Sequence, residues 1–200
     1  MLDEQGVKYG TAMRDVDVRV ALHAQLAADH ADCIEDTLII DELGLCGEVR
    51  VDVAVVNGAL SGFELKSSRD TLRRLPKQVD IYSRVLDQAV LVVAENHLDS
   101  AMSLIPDWWG VVRAQGPAGR VLLATERTGR VNSGVDPISL VQLLWREEAL
   151  DELEIRGAAR GVRAKPRWAV WNRLVETVDI GELQAIVRHK LKARRSRLDG

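Results

Sequence analysis

The sequence predicts an α/β fold, a mixed sheet flanked by helices and followed by a helical C-terminal tail. Asn57-Gly58 stands between VRVDVAVV and LSGFELK, a strong short hairpin signal. QAVLVVA at 88–94 is apolar on both faces, as a central parallel strand is. From Asp136 onward the apolar spacing turns helical and stays so to the end.

Taken in order, Val16, Val20, Ala24 and Ala27 recur at helical spacing, and nothing breaks the run 14–31. TLIIDEL at 37–43 reads as a short strand, with Gly44 and Gly47 bracketing a turn. VRVDVAVV at 49–56 is dominated by β-branched residues, and LSGFELK at 60–66 is the return strand. A helix should cover roughly 70–87, capped by Ser68 or Asp70. Pro76 must either kink it or stand at the first position of a helix over 76–87. The strand 88–94 comes next, then a short helix over 97–105 ended by Pro106, and the strand candidates WGVVRA and GRVLLATE. Helices are expected over 137–153, 166–178 and 182–197. The segment ERTGRVNSGVD at 126–136 is the expected boundary between an α/β part, 1–130, and a helical extension, 131–200.

Composition excludes several classes. At 200 residues, 46% hydrophobic and 28% charged, the chain can bury a real core and is neither disordered nor a disulfide-stapled miniature. The longest apolar runs fall far short of the roughly 20 residues of a membrane span. MLDEQGVKYG has no basic start and no apolar stretch, so no signal peptide is expected. Cys33 and Cys46, without a C-x-x-C, read as reduced thiols of a cytoplasmic protein. The net charge of −3 is unevenly spread: residues 1–110 carry 10 Lys+Arg against 19 Asp+Glu, and residues 151–200 carry 12 against 7. A basic tail on an acidic front points to a polyanion partner for the tail, or else to a solvated helix.

The chemistry centres on Glu64-Leu65-Lys66. A Glu and a Lys two apart on a strand share a face. The triplet by itself is uninformative, but its hairpin partner carries Asp52 inside an otherwise apolar run. A lone carboxylate there costs several kcal/mol unless compensated. A metal ion compensates two close carboxylates. Asp52 and Glu64 would hold Mg²⁺ through oxygen, the Leu65 carbonyl could add a ligand, and Lys66 would sit beside the same water or phosphate. This demands a particular register. A plain two-residue turn at Asn57-Gly58 would set Asp52 against Phe63 and turn Glu64 to the other face. Asp52 opposite Glu64 needs one extra residue, from a bulge at Gly62 or a three-residue loop at 57–59. On the next helix, Gln78 falls in the apolar stripe of Val79, Ile81, Tyr82, Val85 and Leu86, and a buried amide needs partners. Gln78 and Tyr82, four apart, both lean toward the strand end that carries Glu64 and Lys66.

In their order, helix, strand, strand with Asp52, strand with Glu64-Leu65-Lys66, helix with Gln78 and Tyr82, strand, these elements resemble the PD-(D/E)XK nuclease superfamily. The Q-x-x-x-Y element is similar to that of its RecB-like branch. The stretch 50–87 also resembles uncharacterised bacterial and phage proteins assigned to that superfamily. The resemblance covers residues 14–114. It implies a restriction-endonuclease-like αβββαβ core, Mg²⁺ or Mn²⁺ as cofactor, and hydrolysis of DNA phosphodiesters in repair, recombination or phage-related defence. It further implies that Asp52, Glu64, Lys66, Gln78 and Tyr82 carry the reaction. The superfamily's additional acidic ligand corresponds best to Glu42, with Asp17 and Glu48 in reserve; Asp41 has the wrong parity.

His23 reads as a core histidine, and no His-x₃-His pair supports a metal site of another kind. There is no P-loop, G-x-G-x-x-G or G-x-S-x-G. In the tail, Trp168, Trp171, Val175 and Val178 form a stripe, and Leu183, Ile186, Val187 and Leu191 form another. Lys165, Arg167, Arg188, Lys190, Lys192 and Arg194 fall outside them and are the expected DNA-binding residues. These two helices resemble a SAP-type DNA-binding module. DNA is therefore the expected partner, with a homodimer or larger complex possible. The alternative is a non-catalytic nucleic-acid-binding or assembly module that keeps the nuclease fold.

Overall fold

The computed structural model describes residues 12–196, with side chains to 194. The first ten residues, on which the expectation about a signal peptide rests, lie outside that range. The elements in order are α1 (Asp15–Asp29), a 3₁₀ segment over 31–36, β1 (Leu38–Leu45), β2 (Val49–Val56), β3 (Leu60–Lys66), α2 (Leu75–Val85) and β4 (Gln88–Ala94). Then follow α3 (Leu98–Met102), β5 (Gly110–Gln115), β6 (Leu122–Arg127), α4 (Pro137–Val141), α5 (Arg146–Ile155), α6 (Arg167–Thr177) and α7 (Ile180–Ser196). The expected αβββαβ order and helical C-terminal part are both present.

The six strands form one mixed sheet in sequence order. The β1–β2, β2–β3 and β5–β6 pairs are antiparallel, while β3–β4 and β4–β5 are parallel. Alternation along β2 explains the two layers. Val53 and Val55 face α1 and pack with Val18, Leu22, Leu26, Leu65 and Val92. Ala54 and Val56 face the other way, among Leu60, Leu91, Val93 and the α2 residues Ile81, Tyr82 and Val85. That second face is also where the tail lies: Leu140, Leu153, Val170, Leu174, Leu183, Val187 and Leu191 belong to the same continuous core as the strands.

Local chemistry accounts for the element ends. Pro76 stands in the first turn of α2, which starts at Leu75 and is not kinked. The helix expected over 137–153 is two helices. Asp136 caps α4 through the Ser139 amide at 2.8 Å, and Glu148 reaches back to the Trp145 amide at 2.8 Å to start α5. Asp87, just past the end of α2, is buried. Its carboxylate accepts from the Leu60 amide at 2.7 Å, Gln184 at 2.7 Å and Arg188 at 3.2 Å, joining β3 to α7. Both cysteines are free thiols. Among the described residues no helix is long and apolar enough to cross a membrane.

Candidate functional site

The β2–β3 ladder pairs Val56 with Leu60, Val55 with Ser61, Ala54 with Gly62 and Val53 with Phe63. The connection is therefore the three residues 57–59. The Asn57 side chain holds it by accepting from the Ala59 amide at 3.2 Å. Gly62 pairs without a bulge, so of the two sources of the extra residue the loop supplies it. Continued by one step, this register brings Asp52 level with Glu64. The ladder stops there because Asp52 Oδ2 accepts the Leu65 amide at 2.7 Å.

On β3, parallel to β4, Glu64 and Lys66 are 1% and 3% exposed. Lys66 Nζ donates to Glu64 Oε1 and lies 3.3 Å from Gln78 Oε1. The Gln78 amide donates to Glu64 Oε1 at 2.6 Å, and the Tyr82 hydroxyl lies 2.5 Å from Glu64 Oε2 and 2.9 Å from the Arg50 carbonyl. The apolar stripe of α2 thus delivers both Gln78 and Tyr82 onto Glu64. Burial, reinforced by the Glu64 charge, holds the Tyr82 phenol far above its usual pKa, so it remains a donor. Its ring stacks on Trp109, with centroids 5.6 Å apart and planes within 12°.

Asp52 is the electrostatically exposed member of this group. Burial, and secondarily repulsion from Glu64, push its carboxyl up to about 7. Its remaining oxygen, Oδ1, lies 3.8 Å from Arg19. Arg19 also contacts Asp15 at 3.4 Å, Asp41 at 3.0 Å, Glu42 at 3.1 Å and the Asp52 carbonyl at 2.6 Å. Glu42 is bonded in turn to Arg50 at 3.2 Å. It reaches the site because its φ is +57°, an unusual conformation for a non-glycine residue that interrupts β1 between the Asp41–Val53 and Leu43–Val51 pairs. Asp15, Arg19, Glu42, Glu48, Arg50, Asp52, Arg73, Arg74, Lys77 and Gln78 line a cleft of about 610 Å³.

The expected residues Asp52, Glu64, Lys66, Gln78 and Tyr82 are thus assembled in one place, and Glu42 borders it. Glu48 sits on the cleft rim, paired with Lys77 at 3.3 Å, whereas Asp17 bonds Arg14 and the Gly119 amide at 3.2 Å. Leu65 contributes its amide to Asp52. Among the described residues no three His, Cys, Asp or Glu side chains converge as a ready-made metal site. The chemistry of the donors nevertheless fits a divalent cation at Asp52 and Glu64: both are hard oxygen ligands, and burial together with the Glu64 charge disfavours the bare Asp52 carboxylate, which a cation would favour. Glu42, by contrast, is already matched by two arginines.

Two participants carried no sequence signal. Arg19 is one polar residue on an amphipathic helix that packs on the opposite face of the sheet. Trp109 is far from Tyr82 in sequence. His23, expected in the core, is about one-third exposed and bonds Asp41 at 2.9 Å.

The structure places most of the expected phosphate-binding residues of the tail in internal contacts. Arg188 pairs with Asp87 at 3.2 Å, Lys190 with Glu152 at 2.7 Å, Lys192 with Asp36 at 2.7 Å, and Arg194 with Glu148. Arg194 also lies over the Trp145 ring at 4.2 Å, and Arg167 over Trp171 at 4.6 Å. Arg188 and Lys192 tie α7 to the α/β part, Lys190 and Arg194 tie it to α5, and the Arg167 contact stays within α6. Only Lys165 of the six stays an exposed cation without such a partner among the described residues. Trp168, at the end of the apolar stripe, is 64% exposed, while Trp171 donates to the Leu144 carbonyl at 3.2 Å.

Fold and site together define an α/β protein with a mixed sheet and a buried carboxylate–lysine–amide–phenol cluster at the parting of β2 and β3. The chain belongs to the family described as Bacteriophage P4 protein cII, whose model matches residues 10–198. It is 28% identical over 146 residues to protein cII of Enterobacteria phage P4, an alignment that covers 72% of this chain and 54% of that protein. The chain therefore spans about half the length of that relative. A protein of unknown function from Silicibacter pomeroyi superposes with a TM-score of 0.45 and 17% identity, over 76% of this chain and 97% of the other. Pyrococcus furiosus SfsA in complex with Ca²⁺ superposes with a TM-score of 0.34 and 13% identity, over 62% and 71% of the two chains.

Proposed function

We propose that this protein is a metal-dependent nuclease that hydrolyses DNA phosphodiester bonds, in the manner of the PD-(D/E)XK superfamily. One observation carries the proposal: Asp52 and Glu64 come level across β2 and β3 with Lys66 bonded between Glu64 and Gln78. A purely structural ion pair at Glu64–Lys66 would need no second buried carboxylate, and Asp52 makes the site harder to bury. Asp52 and Glu64 would hold Mg²⁺ or Mn²⁺. Such an ion, when bound, polarises the phosphoryl oxygen and acidifies water. Lys66 lies beside Glu64, where its side chain can orient the attacking water and offset charge at phosphorus. Gln78 and Tyr82 donate to Glu64 and keep its oxygens directed. Repair, recombination and phage-related defence are the processes such an activity serves.

The contacts of Arg19 favour a second reading, a nucleic-acid-binding module that keeps the fold without the chemistry. In it the guanidinium is a permanent cation among Asp15, Asp41, Glu42 and Asp52. Incubation with plasmid and labelled oligonucleotides in Mg²⁺, Mn²⁺ or EDTA separates the two. Cleavage that requires the metal and disappears in Asp52→Asn supports the nuclease. DNA binding without cleavage under all conditions supports the module.

A further inference from the structure

We propose that Arg73 and Arg74 form the phosphate-binding rim of the cleft and grip the nucleic-acid backbone on either side of the phosphate above Asp52 and Glu64. This rests on the reading of the cleft as a phosphodiester site, and it moves backbone recognition from the tail to the segment that leads into α2.

The cleft's charges can be matched almost completely. Of its acids, Asp15 is paired with Arg19 at 3.4 Å, Glu42 with Arg19 at 3.1 Å and Arg50 at 3.2 Å, and Glu48 with Lys77 at 3.3 Å. Asp70 accepts from the Ser67 amide at 2.7 Å and the Ser67 hydroxyl at 2.6 Å. Asp52 is bonded to the Leu65 amide at 2.7 Å. Among the cations, Arg19, Arg50 and Lys77 are thereby engaged. Arg73 and Arg74 are exposed and line the same cleft, and their guanidiniums have no hydrogen-bonding or ionic partner among the described residues. The lining carries five Asp and Glu against five Lys and Arg, so these two guanidiniums bring the cleft to formal balance and are its unpaired cations, concentrated on one rim. Guanidinium also matches a phosphate diester in charge and bidentate geometry.

Their backbone is held in place. The Asp70–Ser67 bonds close the turn after β3, and the Ser68 hydroxyl donates to the Met13 carbonyl at 2.8 Å. Leu72 packs against the core, the Leu75 amide bonds the Leu72 carbonyl at 3.1 Å, and Leu75 is fully buried. The rim is therefore anchored on both sides of the arginine pair, one helical turn from Gln78. An acidic floor repels a phosphate that arrives alone, so flanking cations are what the floor requires of a polyanionic ligand. Four of the tail's cations, Arg188, Lys190, Lys192 and Arg194, are already ion-paired internally.

The experiment measures binding of labelled single-stranded and duplex DNA oligonucleotides by fluorescence anisotropy, in EDTA, across a salt series. It uses the full chain, Arg73→Ala/Arg74→Ala, and Lys165→Ala. The double variant should bind at least tenfold more weakly at low salt. Its slope of log K against log[salt] should flatten by about 1.8 for duplex and about 1.4 for single strands, the loss of two phosphate contacts. Lys165→Ala should bind as the parent does, and melting curves should show all three proteins folded. Unchanged affinity and slope in the double variant overturn the proposal, as does a parent protein that binds neither oligonucleotide. Loss of binding in the double variant, combined with no cleavage by the parent in any metal, keeps the rim and removes the nuclease. Metal-dependent cleavage with an unaffected double variant does the reverse.

Discussion

The Leu65 amide donates to Asp52 Oδ2 at 2.7 Å, so β3 holds one oxygen of the β2 carboxylate and leaves the other facing Arg19 and the cleft. Asp52 cannot swing out to solvent without breaking a main-chain bond. It must bear burial and the Glu64 charge where it stands, which is why its carboxyl titrates near 7.

That shift has a definite sign in stability. An unfolded aspartate has lost its proton by about pH 5. The folded protein keeps the Asp52 proton until about 7. Between those limits the native state binds the extra proton, so stability falls as pH rises, by up to about 1.4 kcal/mol per unit, and levels off above. Asp52→Asn should be more stable than the parent at pH 7.5 and nearly equal to it at pH 4.5, by thermal melting. Mn²⁺ should raise the parent's melting temperature at pH 7.5 much more than that of Asp52→Asn. A parallel pH course in the two proteins would show that Asp52 is not the group responsible.

Lys66 holds up the fold as well as the chemistry. Removing one partner of a buried pair strands the other charge, at about 3–5 kcal/mol. Lys66→Ala should lower stability by about that amount in urea melts, because Glu64 is 1% exposed. The double change Glu64→Gln/Lys66→Met, which removes both charges, should recover much of the loss. Cleavage by Lys66→Ala must therefore be assayed at a temperature where its circular dichroism remains native. It should be abolished there while the parent cuts.

Gly62 lies directly against Leu86, the residue that ends α2. A Cβ there would stand 2.4 Å from Leu86 Cδ1 and 3.1 Å from Val51 Cγ1. Leu86 is fully buried and has little room to retreat. Gly62→Ala should cost about 1–3 kcal/mol through overpacking. Any shift of α2 would also disturb Gln78 and Tyr82. Leu86→Ala in the same chain should restore part of the stability, and a neutral Gly62→Ala would mean that Leu86 adopts another rotamer freely.

The residues that sequence pattern exposed are those whose role follows from their own strand or helix. Alternation placed Asp52 and Glu64, the apolar stripe of α2 placed Gln78 and Tyr82, and the need for an extra hairpin residue was met by the loop 57–59. What stayed hidden depends on contacts between distant elements. Arg19 reaches Asp52 and Glu42 from a helix on the other layer. Glu42 depends on a single left-handed residue, which no pattern marks. Asp87 occupies a solvent position on a helical wheel, yet α7 covers it. The tail's cations looked free because their partners Asp36, Glu148 and Glu152 lie on other elements, and charge counting along a chain cannot see pairs formed across it.

The tail is accordingly where the structure most changes what an experiment should find. A chain ended near residue 155 looks harmless if 131–200 is an appendage. Here it would uncover the face of the sheet on which Leu174, Leu183, Val187 and Leu191 are buried to 3% exposure or less. It would leave Asp87 without Gln184 and Arg188, and Glu148 and Glu152 without Arg194 and Lys190. Several fully buried aliphatic side chains at about 1.5–3 kcal/mol each rival the whole stability of an ordinary domain. The truncated chain should therefore lose its cooperative melting transition and near-ultraviolet circular dichroism. Single changes grade the effect. Arg194→Ala, which leaves the nearly buried Glu148 unmatched, should cost about 2–3 kcal/mol, and Leu183→Ala about 2–5 kcal/mol. Lys165→Ala, at an exposed position, should cost nothing measurable. A truncated protein that still melts cooperatively would show that the sheet and α1–α3 are sufficient by themselves.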